Sequence, residues 1–135
     1  MSYFLDTNTC IYALKGSFDE IERRLRRLSP SIVKIPSIVQ AELLLGGEKS
    51  NQRRKTLKAI RAFLFPYETV PFCERAAEHY ARIRAELERK GQPVGPNDLI
   101  VAATVMVHRG ILVTHNTGEF RRVKGLLLED WAIRR

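Results

Sequence analysis

A handful of acidic and amide side chains in this sequence stand where they could share one task. Asp6 closes a short apolar run, Glu42 interrupts the apolar stretch 38–45, Asp98 follows Gly95-Pro96-Asn97, and Asn116 and Glu119 come just after the apolar run 111–114. Carboxylates gathered in one cleft raise one another's pKa unless a cation offsets them. A cluster of this kind therefore suits a hard, oxygen-preferring ion, Mg²⁺ or Mn²⁺. The histidines lack zinc spacing, and Cys10 and Cys73 are far apart, which argues against a softer metal. His79 and His115 are assigned no catalytic role. Each acid also has a plainer reading. Asp6 and Asp98 suit helix N-caps, Glu42 the solvated side of its helix, and Glu119 an exposed loop, while Thr7 and Thr114 suit turn hydrogen bonds.

The elements that must position these residues follow from periodicity and caps. Residues 2–5 read as a strand, and 6–9 are N-cap types before a helix over 10–14. Ser17 and Glu20, in capping-box spacing, open a second helix with Ile21, Leu25 and Leu28 on one stripe, closed by Pro30. A strand over 32–35 leads to a helix opened by Pro36-Ser37 and stopped at Gly46-Gly47. Residues 51–65 form a basic amphipathic helix, with Leu57, Ile60 and Leu64 on one side and Arg53, Arg54, Lys55, Lys58 and Arg61 on the others. A strand over 67–70 and a helix over 73–90 follow. The helix begun at 95–98 is apolar all round to residue 107, so it lies centrally. Strands at 111–114 and 126–128 flank a loop or short turn at 115–119.

About five strands alternating with helices predict an α/β fold: a mostly parallel sheet with helices on both faces, in three layers. Ligands in such sheets bind beyond the carboxyl ends of the strands, where Asp6, Asn116 and Glu119 fall. The 135 residues, 44% apolar and 28% charged, suit a single domain spanning 1–135 with its own core. Two dispersed cysteines give no disulfide framework, and a reducing cytoplasmic setting is the expectation. No apolar run approaches a membrane span and no leader precedes Asp6. Lys and Arg number 23 against 15 Asp and Glu, for a net charge of +8. The excess is greatest over 51–93, with ten basic and five acidic residues, and it favours a polyanionic partner: nucleic acid or an acidic protein.

Four segments taken in order resemble the motifs of PIN-domain ribonucleases, and more narrowly the VapC toxins of VapBC toxin–antitoxin pairs. They are Tyr3-Phe4-Leu5-Asp6-Thr7-Asn8-Thr9-Cys10-Ile11, Ala41-Glu42-Leu43, Gly95-Pro96-Asn97-Asp98-Leu99-Ile100-Val101-Ala102-Ala103, and Leu112-Val113-Thr114-His115-Asn116-Thr117-Gly118-Glu119-Phe120. A close at Leu128-Glu129-Asp130-Trp131 is also similar to the family, and the resemblance spans the whole chain. It implies that Asp6, Glu42 and Asp98 hold Mg²⁺, with Glu119 as the fourth catalytic acid. Many PIN domains carry an Asp where this chain has Asn116. An amide adds no charge, so any second metal would be weakly held. Thr7, Asn8, Thr114 and Asn116 would support the metal-binding carboxylates.

The implied function is a Mg²⁺-dependent endoribonuclease toxin acting on structured RNA, tRNA among the candidates, with a VapB-like antitoxin as inhibitor and a homodimer as the expected assembly. RNA would approach along Arg53, Arg54, Lys55, Lys58 and Arg61, which grip phosphates without reading sequence. The apolar stripes of the 38–45 and 57–64 helices offer surface for self-association, although burial within one subunit accounts for them equally well. One rival is a non-catalytic PIN-like nucleic-acid-binding module that uses its acids only as caps. Another is a phosphatase or phospho-acceptor domain, disfavoured because Asn8 replaces the second Asp such sites want and no Lys follows Val113 until Lys124.

Overall fold

The computed structural model describes residues 1–133, so the last two residues of the expected 1–135 domain lie outside the described residues. Five strands form one parallel sheet in the order β3-β2-β1-β4-β5: β1 (Tyr3–Leu5), β2 (Val33–Pro36), β3 (Glu68–Val70), β4 (Ile111–Val113) and β5 (Leu127–Glu129). Parallel neighbours require crossovers. Helices α1 (Thr7–Lys15), α2 (Asp19–Arg27), α3 (Ser37–Glu48), α4 (Arg53–Leu64), α5 (Glu74–Arg89), α6 (Pro96–Val107) and the short α7 (Thr117–Phe120) supply them. From β1 the chain builds outward through β2 and β3 and then returns to place β4 and β5 on the other side of β1. The reversal between β1 and β4 opens a crevice at the carboxyl ends of those two strands.

The core runs from Phe4 and Leu5 through Ile35, Val39, Leu99, Val105 and Leu112 to Phe120 and Trp131, all almost fully buried. Helix α6 buries Leu99, Val101, Ala102, Ala103, Thr104, Val105 and Val107, which is the all-round burial its sequence predicts. Among the described residues no helix is long and apolar enough to cross a membrane.

Two local expectations are corrected. The Ser17–Glu20 box does not cap α2: the residue at its N-terminus is Phe18, which lends no side-chain cap, and the buried Glu20 carboxylate accepts instead from Arg23 and Arg24, at 2.9 Å each. Gly46-Gly47 does not stop α3, which continues to Glu48. Gly47 serves packing: a Cβ there would stand 2.5 Å from Leu57 Cδ2 and 3.1 Å from Ile60 Cδ1, so the missing side chain lets α4 lie close against α3. The apolar stripe of α4 is consumed by that contact, since Leu57, Ile60 and Leu64 are all buried within the subunit. The 115–119 segment, expected as a loop or short turn, contains the single turn α7.

Gly110, between α6 and β4, approaches the buried ring of Phe4 so closely that a Cβ would fall within it, with the Ser2 carbonyl 3.2 Å away. Neither backbone nor a fully packed ring yields cheaply. Gly110→Ala is expected to lower unfolding free energy by about 1–3 kcal/mol, measured by urea titration.

Candidate active site

Asp6 sits at the crevice because β1 ends there: its N–H donates to the Val113 carbonyl at 3.2 Å, continuing the β1–β4 ladder for one residue. Its carboxylate then caps α1, Oδ1 accepting from the Thr9 N–H at 2.9 Å. The cap and the functional reading of Asp6 are therefore not alternatives. Asp6 is 7% exposed, and burial raises its pKa despite hydrogen bonds from the Thr114 hydroxyl and the Thr9 N–H. Thr114, fully buried at the end of β4, is a relay, accepting from the Asn116 N–H at 3.0 Å and donating to Asp6.

Asp98 lies in the first turn of α6, where Gly95 is the cap residue, so Asp98 is not itself the cap. Its pKa is pushed up to about 6, first by desolvation and then by the negative charges of Glu119, Asp6 and Glu42. Asp6 at the cap of α1, Glu42 of α3 and Glu119 of α7 thus all bear on Asp98 of α6. Glu42 is half-buried, and its Oε1 accepts from the Thr7 hydroxyl at 2.8 Å, which ties α3 to the first turn of α1.

Glu119 is committed differently. Its Oε1 accepts from the Gly95 N–H at 3.0 Å and its Oε2 from Asn116 Nδ2 at 2.8 Å. These bonds hold its pKa below the usual value and clamp α7 onto the start of α6. Oε1 is engaged at the start of the Asp98 turn, and Oε2 is engaged at the N-terminus of its own helix. Asn116, expected as a supporting group, acts through Glu119 and Thr114. Asn8 is exposed on α1, and no hydrogen bond among the described residues ties it to the acids.

The basic residues of α4 divide. Arg53 is engaged by Glu48 through a pair of bonds at 2.6 and 3.1 Å, while Arg54, Lys58 and Arg61 are exposed. Lys55 lines a groove of about 480 Å³ between α1, α3 and α4 that also takes in Glu42, Ile11, Leu14 and Ala59. Glu42 is thus the link between the acids and the basic helix. The buried surroundings expected for Glu42 are less complete than its apolar neighbours imply, because Ala41 and Leu45 on the same helix are exposed.

One feature escaped the sequence reading: His115 Nδ1 lies 2.9 Å from Asp130 Oδ2, beside the site. Fifteen residues separate the pair along the chain, and only the β4–β5 pairing brings them together. The donor set as a whole is oxygen and carries surplus negative charge, which fits a hard divalent cation and not a thiolate- or imidazole-seeking one. Among the described residues no three His, Cys, Asp or Glu side chains converge into a ready-made cage. That is compatible with Mg²⁺, which keeps several waters and is commonly held by one or two carboxylates together with a substrate phosphate.

The PIN domain family model matches residues 3–126. Among curated relatives, a "tRNA(fMet)-specific endonuclease VapC" of Salmonella typhimurium is 39% identical over 131 residues, covering 97% of this chain and 98% of its own length. A "Ribonuclease VapC2" of Rickettsia felis is 37% identical over 132 residues, with 97% and 98% covered. Among solved structures, a DNA-bound VapBC from Salmonella typhimurium superposes with a TM-score of 0.92 at 39% identity, covering 97% of this chain and 98% of that one. VapBC2 of Rickettsia felis, bound to a fragment of promoter DNA, gives 0.91 at 35%, with 97% and 99% covered.

The raised pKa of Asp98 fixes the sign of a stability effect. A carboxyl protonated more readily in the folded state stabilises that state below its unfolded pKa, and the contribution is lost as pH rises through about 6. Asp98→Asn is therefore expected to raise the melting temperature at pH 8 in chelator and to change it little near pH 4. Thermal unfolding across that range measures it.

Proposed function

We propose that this chain, which belongs to the PIN domain family and within it to the VapC proteins, is the ribonuclease toxin of a VapBC pair and hydrolyses phosphodiester bonds in RNA with a divalent cation, Mg²⁺ in the first instance. The observation that carries the reading is the carboxyl of Asp98, pushed up to about 6 first by burial and then by the negative charges of Glu119, Asp6 and Glu42, which reach it from separate elements. Such a concentration of like charge is costly unless a cation offsets it, which favours a metal-dependent hydrolase over a binding module whose acids are only caps.

Asp6 and Asp98 would hold the cation, with Glu42 beside them. A bound divalent ion supplies Lewis acidity toward the scissile phosphate and lowers the pKa of water in its shell. The protein's part is positional. Thr114 and the Thr9 N–H keep the Asp6 carboxylate aimed out of the sheet, and Glu119 with Gly95 sets the turn that presents Asp98. Glu42, oriented by Thr7, would accept a proton from the attacking water as the new P–O bond forms, while the ester bond to the leaving oxygen breaks and that oxygen takes a proton from solvent water. Exposed Arg54, Lys55, Lys58 and Arg61 would grip backbone phosphates, and Arg53, with its carboxylate partner, would contribute less.

The Salmonella relative's name specifies tRNA(fMet), which supports a structured tRNA as substrate here. Relatives crystallised as VapBC complexes support an antitoxin partner. An antitoxin segment with apolar side chains for the α1–α3–α4 groove and a cation for the acids would exclude RNA and metal together. With the α4 stripe buried, a homodimer would draw on exposed apolar residues such as Leu45 and Phe65, 57% and 90% exposed.

Asp6→Asn retains the capping oxygen, and Asp98→Asn retains shape. Each is expected to fold yet lose RNA cleavage in Mg²⁺ by on the order of 100-fold or more. Glu42→Gln is expected to cost more activity than Glu119→Gln, whose Oε1 still accepts from Gly95. Gel-based cleavage of bulk tRNA with circular dichroism as the folding control decides both. Near-parent rates for the Asp variants would return the acids to capping roles.

A further inference from the structure

We propose that His115 is the surface on which an unpaired nucleobase of the RNA stacks beside the scissile phosphate, its ring set by Asp130 and braced by Tyr12 and Phe18; this inference rests on the ribonuclease reading. The position follows from the fold: His115 meets Asp130, just beyond β5, and the charge of Asp130 acts on Asp6, so the pair borders the acids on the β5 side. Its side chain is 52% exposed, yet its orientation is fixed. Asp130 is itself anchored, Oδ1 accepting from the Ala132 N–H at 2.8 Å, and its Oδ2 meets His115 Nδ1 at 2.9 Å. An ionised carboxylate only accepts, so the Nδ1 position carries the proton and Nε2 remains the ring's other polar edge.

The ring centroids of Tyr12 and Phe18 both lie 6.2 Å from that of His115, and they pack edge-on to each other at 4.9 Å. An exposed imidazole held by a carboxylate and two aromatic neighbours has surrendered its rotamer freedom before any ligand arrives, so little is lost when a flat partner stacks on it. Unpaired RNA bases stack on such rings, whereas bases inside a duplex have no free face to offer. A recess on α2 is lined by Arg27 together with Arg23 and Arg24, whose guanidinium groups are engaged by Glu20 and, for Arg24, by Glu129 as well, so Arg27 is the cation there with which a flanking phosphate would pair. The inference therefore adds an RNA contact beyond α4, and it specifies that the nucleotide beside the cut is unpaired.

The test uses the full chain carrying Asp98→Asn to suppress cleavage. Two fluorescein-labelled RNA hairpins are compared by anisotropy, one with an unpaired adenosine loop and one with the same loop made abasic. The parent background is expected to prefer the adenosine loop by about ten-fold or more. Adding His115→Ala should abolish the preference, and His115→Phe should keep most of it, which a merely structural role for the histidine would not produce. An undiminished preference in His115→Ala overturns the inference. Binding of both hairpins with no preference by the Asp98→Asn chain, or of neither while the unsubstituted chain cleaves bulk tRNA in Mg²⁺, overturns it and leaves the ribonuclease reading intact, whereas absence of cleavage by the unsubstituted chain removes both.

Discussion

Mutual repulsion among Asp6, Glu42, Asp98 and Glu119 is the constraint around which the rest is arranged. The fold brings these groups together from four elements, and their charge adds to burial in pushing the Asp98 carboxyl up to about 6. Each carboxylate is therefore held by donors that limit the damage: Thr9 and Thr114 at Asp6, Thr7 at Glu42, Gly95 and Asn116 at Glu119. Asp98 has the raised value because it is partly buried and because the charge of the others then adds to that cost. Buried like charges with partial compensation are expected where a cation belongs and are hard to account for otherwise.

The sheet order explains how the acids come to be neighbours. Because β1 is central and the chain reverses between β1 and β4, the residues that leave these strands face one crevice, and the caps of α1 and α6 open onto it. The groove that holds Glu42 is also lined by Lys55 of α4, so a polyanion entering the crevice from that side meets positive charge before it meets the acids.

Much of this was legible in the sequence because it depends on local rules. Apolar runs ending at Asp6 and Thr114 marked the strand ends, Gly95-Pro96 marked the start of α6, and its unbroken apolar character marked a central helix. Recognition of the family motifs assembled the acids, and the family match agrees with it. What was not legible depends on pairs remote in sequence. The Glu119–Gly95 clamp and the His115–Asp130 pair exist only once α7 meets α6 and β4 meets β5. Gly46-Gly47 misled because a glycine that permits helix contact looks, in sequence, like one that ends a helix, and Ser17 misled because a capping-box spacing recurs where the helix starts two residues later.

The most direct test of the account is the proton balance of metal binding, by calorimetric titration of Mg²⁺ into the RNA-free protein in buffers of different ionisation enthalpy. If the acids receive the cation, a carboxyl titrating near 6 must lose its proton as the ion enters. Release of about half a proton per site is predicted at pH 6, falling toward none at pH 8, with both binding and release lost in Asp98→Asn. Mg²⁺ binding that releases no proton at pH 6, or that survives unchanged in Asp98→Asn, would contradict the assignment.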